Sequence, residues 1–425
     1  MNREYGHPEE YLYSLTRKGD KLGLDKVREF LTQLNDPQDS YETVIIGGTN
    51  GKGSVTTLVS NVLTRAGYRT GRYISPHLVF FEERISVDGS LITEEELWSL
   101  IHQVKPVLEE IDSRNPEKRP SFFEVLTALA FLHYRDRKAD MAVLEVGMGG
   151  RLDATNVTEH IVSTVTNVGM DHMEHLGNTK DKIAYEKAGI IRQDNLFVTG
   201  EKDPGVADYF RGVCRERKAD FRHAFEREHQ ILESPLRLKL PEYGEFRVPG
   251  MARWQGENAM VALGVLEALK GKGYRIRDKH ITEGFSKTHL PGKMETISRE
   301  PWIMIDSAHN VPGMVELARS LKKMKHERLL LVMGVLDDKD HKGMVDTIGP
   351  LCHRAFTAEP VSTRTLPSEV LARELEEHCQ SEAYNHGIDA LRAAEEEWRE
   401  GDLILVAGSI YLLGDMIKRR NHCEK

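Results

Sequence analysis

Cysteine, long apolar runs and an excess of basic residues are what this 425-residue chain lacks. Its four cysteines, Cys214, Cys352, Cys379 and Cys423, have no CxxC spacing, which argues against a disulfide framework and a structural zinc site. No apolar stretch approaches the roughly 20 residues that span a bilayer, so we expect no membrane contact. Lys and Arg total 58 against 67 Asp and Glu, a net charge of −9, which leaves no basic field to bind nucleic acid.

The length of the chain bounds the number of its domains. At roughly 150 residues per domain, a chain of this size predicts two or three, and we expect two. The first residues contain no apolar signal segment, which predicts a cytoplasmic protein. No feature of the sequence demands a second copy, so we expect a monomer.

Glycines crowd one short stretch, residues 47–54, which reads GGTNGKGS. An apolar run precedes it and a helical apolar pattern follows it, so the stretch predicts a strand, a phosphate loop and a helix. Backbone N–H groups and the helix N-terminus would face an anion there, and Lys52 adds a full positive charge. The spacing departs from GxxxxGK[ST], because Ile46 takes the place of the first glycine and Gly53 separates Lys52 from Ser54. The alternative is a glycine-rich turn with a chance lysine.

Apolar strands alternate with amphipathic helices along the chain, which predicts an α/β fold with a mostly parallel sheet. We expect strands at 43–46, 71–74, 141–146, 161–168 and 196–198, and helices at 122–134, 181–188 and 258–269. A second, smaller series has strands at 302–305, 329–334 and 403–408. We therefore expect a P-loop ATPase domain over residues 1–292 and a Rossmann-like domain over 293–425. Residues 109–120 are expected to form a surface loop, and 201–248 an excursion of short strands and turns.

Two strand ends carry side chains suited to chemistry. Glu145 ends the predicted strand 141–146, and ligands of parallel sheets gather at the carboxyl ends of the strands. A buried carboxylate needs a cation or donors, so Glu145 predicts either a magnesium site or a carboxylate that is satisfied by Arg151 or by backbone amides. His172 follows the strand 161–168, but histidine is commoner with zinc, copper or iron, and it could equally be structural. Lys187, on the helix 181–188, would by itself be read as a solvated lysine.

Six segments of the sequence, taken together, resemble the motifs of one protein family. They are Gly48-Thr49-Asn50-Gly51-Lys52-Gly53-Ser54, Ser75-Pro76-His77-Leu78, Phe122-Phe123-Glu124, residues 145–156, Asp171-His172 and Glu186-Lys187-Ala188-Gly189-Ile190. In order, spacing and spelling the chain resembles folylpolyglutamate synthase, a family of the Mur ligase superfamily, from Leu22 to Gly408. Bacterial members of that family often have dihydrofolate synthase activity as well.

The resemblance implies an ATP site, a magnesium site and a set of catalytic residues. ATP would be bound by Asn50, Gly51, Lys52, Gly53, Ser54, Gln255, Asn258, Lys293 and Asp306. Magnesium would be held by Ser54, Ser75, Glu145 and His172. Catalysis would involve Lys52, Glu145, His172, Lys187 and His309, and Lys187 matches a lysine that is carbamylated in members of the family.

The resemblance also implies where the substrates bind. The pterin end of a folate or dihydropteroate would lie near Leu22, Ser121, Phe122, Phe123, Glu124, Leu152, Asp153 and Ala154. The second half would close over ATP and help to bind L-glutamate, since Asp306-Ser307-Ala308-His309-Asn310 resembles the Asp-Gly-Ala-His-Asn of the family.

Several residues depart from the family pattern. Lys293 stands where arginine is usual, and lysine cannot make the same planar, bidentate contact with phosphate. Ser307 replaces a glycine, Trp254 replaces a histidine or tyrosine, and residues 80–84 replace a more basic segment. These departures bear on nucleotide and folate contacts rather than on the proposed magnesium ligands.

The function that the sequence predicts is an ATP-dependent amide ligase. It would add L-glutamate to a folate, and to 7,8-dihydropteroate, through an acyl phosphate, and it would release ADP and phosphate. One alternative is a Mur-type ligase for another acid. The other is an ATP-binding regulator or inactive relative, which the departures at residues 254, 293 and 307 would suit.

Overall fold

The computed structural model describes residues 5–16 and 23–423, with the side chains of the last helix described as far as residue 420. Leu22, predicted to contact the substrate, lies outside the described residues. An eight-stranded sheet forms the first half, in the order β4-β3-β2-β5-β1-β6-β7-β8. Its strands are β1 (Glu42–Gly47), β2 (Thr70–Tyr73), β3 (Ile85–Val87), β4 (Ser90–Leu91), β5 (Met141–Glu145), β6 (Val162–Val165), β7 (Leu196–Thr199) and β8 (Asp220–His223).

The first sheet is parallel except at one edge. Strands β2, β5, β1, β6, β7 and β8 run parallel, whereas β3 and β4 are antiparallel additions. The central strands are buried on both faces, which explains why their sequences are continuously apolar. The carboxyl ends of β1, β5 and β6 therefore meet at one edge of the sheet.

Helices cover both faces of this sheet. They are α1 (Pro8–Ser14), α2 (Asp25–Gln33), α3 (Lys52–Arg65), α4 (Glu94–Arg114), α5 (Phe122–Asp136), α6 (Met173–Leu176), α7 (Lys180–Ala188), α8 (Pro204–Glu216), α9 (Arg253–Gly271) and α10 (Asp278–Lys287). Short 3-10 turns occupy Pro37–Ser40, Phe81–Arg84, Pro116–Lys118, Ala154–Val157 and Gly349–Leu351. A small antiparallel sheet of β9 (Gln230–Leu232), β10 (Arg237–Leu240) and β11 (Gly244–Arg247) packs on α9 and α10.

The second half is a six-stranded sheet in the order β12-β13-β17-β14-β15-β16. Its elements are β12 (Lys293–Arg299), β13 (Trp302–Asp306), α11 (Val311–Leu321), β14 (Leu329–Met333), α12 (His341–Ile348), β15 (Arg354–Ala358), α13 (Ser368–Leu375), β16 (Gln380–Tyr384), α14 (Gly387–Glu397), β17 (Leu403–Ala407) and α15 (Ile410–Cys423). Only the β12 and β13 pair is antiparallel. The predicted α/β class is confirmed, while the division at residues 292 and 293 stays a prediction.

Two stretches differ from the prediction. Residues 109–114 were expected in a loop, but α4 continues through them because Ile111 is buried while the charged side chains point to solvent. Residues 201–248 contain the 13-residue helix α8, whose Phe210 packs on the sheet, and the strand β8. Within the described residues, no helix combines the length and apolar character that crossing a membrane requires.

Candidate active site

A cavity of about 530 Å³ opens where the carboxyl ends of β1 and β5 face the second sheet. The loop after β1 forms one wall, and the loops after β5 and β6 form the next. Groups from the second half, among them Lys293, His309 and Lys339, close the other side. The cavity is therefore lined by both halves of one chain.

The loop between β1 and α3 is held by its own backbone and by the loop after β6. The Lys52 ammonium donates to the carbonyls of Gly48 and Thr49 at 3.2 and 3.1 Å. Asn167 accepts from the Asn50 N–H at 3.0 Å, and Thr166 donates to the Asn50 carbonyl at 2.6 Å. The loop is thus preorganised around the start of α3, where free N–H groups favour an anion.

Gly51 is required at the tightest point of this loop. Its φ of 84° lies in the left-handed region that favours glycine, and Gly51 directly precedes α3. A Cβ at this position would collide with the amide of Asn258 on α9. Gln255 holds that amide, accepting from Asn258 Nδ2 at 3.0 Å, and both side chains are buried. The two residues predicted to bind the nucleotide from α9 therefore lie behind the loop and do not line the cavity.

Glu145 ends β5 inside the cavity and is 5% exposed. It accepts a hydrogen bond from the Ser75 N–H at 3.2 Å. Burial raises the pKa of Glu145 to about 7, against the opposing charge of Lys52. The hydroxyl of Ser54 is buried nearby and has no hydrogen-bond partner among the described residues. An acidic oxygen and an unpartnered hydroxyl thus face the same space.

His172 directly precedes α6 and has a left-handed conformation, with φ 50°. Burial lowers the pKa of His172 to about 4, so the ring is neutral at neutral pH and free to offer a lone pair. Its neighbour Asp171 accepts from Lys339 at 2.8 Å. Burial by itself would raise the pKa of Asp171, but the neighbouring His172, Lys339 and His309 lower it below its usual range.

Lys187 lies on α7 with its side chain buried at the cavity wall. Burial lowers the pKa of Lys187 to about 7, and the charge of Lys52 acts in the same direction. No hydrogen bond or ion pair joins its ammonium to another described side chain. The prediction of a solvated lysine, which the residue would suggest in isolation, does not apply here, because α7 packs against the loop 149–151.

The second half contributes Lys293 from β12, Asp306 from the end of β13 and His309 from the loop that follows. His309 Nδ1 lies 2.9 Å from the Ser307 carbonyl, and its Nε2 is 3.9 Å from Asp171. The Lys293 ammonium donates to the Ser307 hydroxyl. Asp306 accepts from the N–H groups of Met294 and Ala308, both at 2.8 Å. The carboxylate of Asp306 stabilises the loop after β13 and does not line the cavity. Lys293 and His309 do line the cavity.

The other end of the cavity is aromatic. Ser121 and Glu124 form a capping box that starts α5, with Glu124 accepting from the Ser121 N–H at 2.7 Å. This places Phe122 and Phe123 at the wall. Asp153 accepts from the Met148 and Thr155 N–H groups at 2.9 and 3.0 Å, so its carboxylate shapes the loop that carries Leu152 and Ala154. All seven described residues of the predicted pterin site line this end.

Sequence reasoning missed several residues of the cavity. Arg84 and Tyr13 lie at the aromatic end, and Arg364 lies with Lys339 on the side of the second half. Arg84 belongs to the segment that departs from the family pattern, so no motif drew attention to it. Lys339 stands in Asp338-Lys339-Asp340, a segment that the resemblance covered without assigning it a role.

Comparison with known proteins places this fold and site in a family. A model of the Mur ligase middle domain matches residues 46–266, and a model of the Mur ligase glutamate ligase domain matches residues 292–410. Dihydrofolate synthase/folylpolyglutamate synthase of Bacillus subtilis is 30% identical over 435 residues, covering 99% of this chain and 100% of the relative. The fold is therefore that of a Mur ligase, an ATP-dependent enzyme. Within that class, the chain belongs to the dihydrofolate synthase/folylpolyglutamate synthase family.

Solved structures agree over the same length. Escherichia coli FolC in complex with DHPP and ADP has a TM-score of 0.88 and 26% identity, and 99% of each chain is covered. A bifunctional folylpolyglutamate synthase/dihydrofolate synthase with Mn, AMPPNP and L-glutamate bound has a TM-score of 0.84 and 26% identity, with 98% of each chain covered. The likeness thus extends over both halves of the chain.

Proposed function

We propose that the protein joins L-glutamate to the carboxylate of a pterin-containing acid, either a folate or dihydropteroate, at the expense of ATP. The observation that carries this proposal is the single cavity, which connects a phosphate loop to an aromatic slot through Glu145, His172 and Lys187. The relatives support the choice of substrates, since one structure holds DHPP and ADP and another holds AMPPNP and L-glutamate.

The chemistry begins with an unreactive carboxylate. Because a carboxylate is anionic and has no good leaving group, the γ-phosphoryl group of ATP is transferred to it first, which forms an acyl phosphate and ADP. The amine of glutamate then attacks the acyl carbon, an amide bond forms, and phosphate leaves. Lys52 and the N-terminus of α3 offset the charge on the transferring phosphoryl group. The two halves hold the acyl phosphate beside the amine and exclude water.

The residues present fit a magnesium ion. Among the described residues, no group of three or more His, Cys, Asp or Glu side chains is arranged as a metal site, so the protein by itself offers few ligands. Magnesium is commonly bound through one or two carboxylates together with substrate phosphates and water. Glu145, the unpartnered hydroxyl of Ser54, Ser75 and the neutral His172 would supply the protein's share. When bound, the ion would neutralise phosphate charge during transfer.

We also propose that Lys187 carries a carbamate. Carbon dioxide adds to a neutral amine and a proton is released, so a buried lysine whose pKa is about 7 is suited to the reaction. The product is an anion, which the cationic Lys52 would stabilise. Such an anion would add an oxygen ligand next to Glu145 and His172.

The remaining parts of the proposal concern the second half and the state of the protein. Lys293, His309, Lys339 and Arg364 give that side of the cavity the positive and hydrogen-bonding groups that a dicarboxylic amino acid requires. We infer that the enzyme acts as a cytoplasmic monomer. Every group in the proposed mechanism comes from one chain, and Cys214, Cys352 and Cys379 are free thiols.

The decisive experiment measures ADP release by the purified protein with ATP, Mg²⁺ and L-glutamate. We expect turnover when dihydropteroate or a reduced folate is added, and a glutamylated product of matching mass. Turnover with a nucleotide-linked cell-wall acid in place of the pterin would favour a different Mur-type ligase. Tight ATP binding without acid-dependent ADP release would indicate a regulator, and either result would overturn the proposal.

A further inference from the structure

Arg84 is a cation buried inside the cavity, and nothing in the motifs accounts for it. It ends the turn Phe81–Arg84 and is 4% exposed. Its Nε donates to His77 Nδ1 at 3.0 Å, and Nε2 of that ring lies 3.7 Å from a Glu9 oxygen. Since Nδ1 accepts this bond, the proton of a neutral His77 is on Nε2, facing Glu9. Glu9 and His77 therefore fix the direction of the Arg84 side chain.

Aromatic rings hold the guanidinium on its other side. The Arg84 carbon Cζ lies 5.3 Å from the centre of the Phe81 ring and 5.9 Å from that of Phe122. Tyr13 stacks on Phe122, with ring centres 4.7 Å apart and an interplanar angle of 24°. Arg84 thus sits at the inner end of a slot of flat rings that suits a flat heterocycle.

The carboxylates near Arg84 in the chain are engaged elsewhere. Glu83 accepts the N–H groups of Leu78, Val79 and Phe80 at 2.7 to 2.8 Å. Glu82 lies 3.0 Å from His7. In the part of the chain that the structure describes, Arg84 forms no ion pair with a carboxylate. The charge of Arg84 acts on Glu9 and Glu145, but neither carboxylate pairs with it directly. Because a buried cation without a directly paired carboxylate is costly, this arrangement suits an anion that arrives with a ligand.

The position of Arg84 identifies that anion. Four other cations that line the cavity have partners of their own. Lys52 donates to carbonyls of the phosphate loop, Lys293 to the Ser307 hydroxyl, Lys339 to Asp171 and Arg364 to Asp338. Arg84 is joined through His77 to the loop whose Ser75 N–H donates to Glu145. Arg84 thus contacts the rings of the aromatic slot, and its charge also acts on Glu145 at the phosphate end. A pterin in the slot would present its benzoate-type carboxylate at this point.

We propose that Arg84 binds the reacting carboxylate of the acceptor acid and keeps it aligned for phosphoryl transfer. This inference rests on the proposed function, and it adds a residue that contacts the substrate. Arginine suits the role because its planar fork matches a carboxylate, and the contact can persist as the carboxylate becomes an acyl phosphate. The aromatic rings supply area for the pterin, while Arg84 supplies selectivity for the acid.

The test compares an acid with its uncharged analogue. Titration calorimetry would measure binding of dihydropteroate and of its carboxamide, with Mg²⁺ and a non-hydrolysable ATP analogue present. We expect the wild type to bind the acid about 10- to 100-fold more tightly, as a charge-assisted hydrogen bond implies. In Arg84→Gln the two affinities should come within about twofold of each other, while affinity for the ATP analogue is unchanged. Arg84→Lys should give an intermediate ratio.

Arg72→Gln is the matched control, because Arg72 is a half-buried arginine on β2 that does not line the cavity. Its selectivity for the acid should equal that of the wild type. An unchanged selectivity in Arg84→Gln, with ADP release by the wild type intact, would overturn the role of Arg84 alone. A wild type that neither prefers the acid nor releases ADP would overturn the proposed function as well. Should Arg84→Gln fail to fold in a thermal melt, a wild-type ratio in Arg84→Lys would count against the inference.

Discussion

Burial brings the pKa values of Glu145 and Lys187 to about 7 from opposite directions. A buried carboxylate resists ionisation and a buried ammonium resists protonation, so each group depends on a partner for its charge. A cation bound beside Glu145 would favour its ionised, carboxylate form. Reaction with carbon dioxide would turn Lys187 into an anion. Glu145 and Lys187 would therefore both be anionic only when the ligands of the site are bound.

Replacement of Glu145 by Gln should abolish most of the activity and leave the fold intact. The variant keeps the hydrogen bond from Ser75 but loses the charge that would hold magnesium against Lys52. We expect ADP release to fall by orders of magnitude at saturating Mg²⁺, with the melting temperature little changed. Glu201→Gln is the control, since Glu201 is equally buried but accepts from backbone N–H groups away from the cavity. Wild-type turnover in Glu145→Gln would contradict the metal assignment.

Carbamylation of Lys187 should be visible by carbon-13 NMR. With ¹³C-labelled bicarbonate, the wild type should give a carbamate resonance that grows as pH rises through about 7, because only the neutral amine reacts. Lys187→Gln should lack the resonance, and Lys182→Gln, at an exposed position of the same helix, should keep it. Lys187→Glu should recover part of the activity that Lys187→Gln loses. A resonance of equal intensity in Lys187→Gln would place the carbamate elsewhere.

At the scale of elements, the sequence was informative where one strand and its loop carry the signal. The phosphate loop and Glu145 could be predicted because an apolar strand with polar residues at its end is recognisable from a short stretch of sequence. The continuation of α4 to Arg114 could not, since its charged residues resemble a loop until the burial of Ile111 is known. Arg84 was missed for a related reason. Its importance comes from His77, Phe81 and Phe122, which only the folded chain brings around it.

His160 couples two elements and should make stability depend on pH. It precedes β6, and its ring lies between the carbonyls of Thr158 and Ile190, at 3.2 and 2.6 Å. Burial lowers the pKa of His160 to about 4, although both carbonyls oppose this. His160 therefore binds a proton near pH 6.5 in the unfolded chain, but only near pH 4 in the folded chain. The free energy of unfolding should fall as pH falls through this window.

His160→Gln should remove this component of the pH dependence. Between pH 6.5 and 4, urea unfolding of the wild type should lose stability more steeply than the variant, by up to about 1.4 kcal/mol per pH unit. Glutamine can still donate to the Ile190 carbonyl, so the variant should fold. His102→Gln, at an exposed position on α4, should retain the wild-type slope. Parallel curves for the wild type and His160→Gln would contradict the assignment.

At the scale of the whole molecule, the two halves meet through a small polar network. Asn50 in the phosphate loop and Asn310 after β13 exchange amide hydrogen bonds at 3.1 Å. Asn310 also donates to Asp171 at 2.8 Å, and Asp171 pairs with Lys339 at 2.8 Å. Nucleotide bound at the loop would therefore be in contact with the groups that hold the second half in place. Local patterns could not predict this network, because Asn50 and Asn310 are 260 residues apart.

Lys339→Met should loosen the closed arrangement of the halves. The side chains of Lys339 and Asp171 are each 9% exposed, and removal of one partner from a buried pair leaves the other charge uncompensated. We expect a larger radius of gyration by small-angle X-ray scattering in the variant, which an ATP analogue with Mg²⁺ should partly reverse. The kcat/KM for glutamate should fall at least about tenfold, because the second half no longer presents its groups to the acyl phosphate. Lys342→Met, at an exposed position on α12, should match the wild type in both measurements. If Lys339→Met behaves like Lys342→Met, the pair of Lys339 and Asp171 does not hold the halves together.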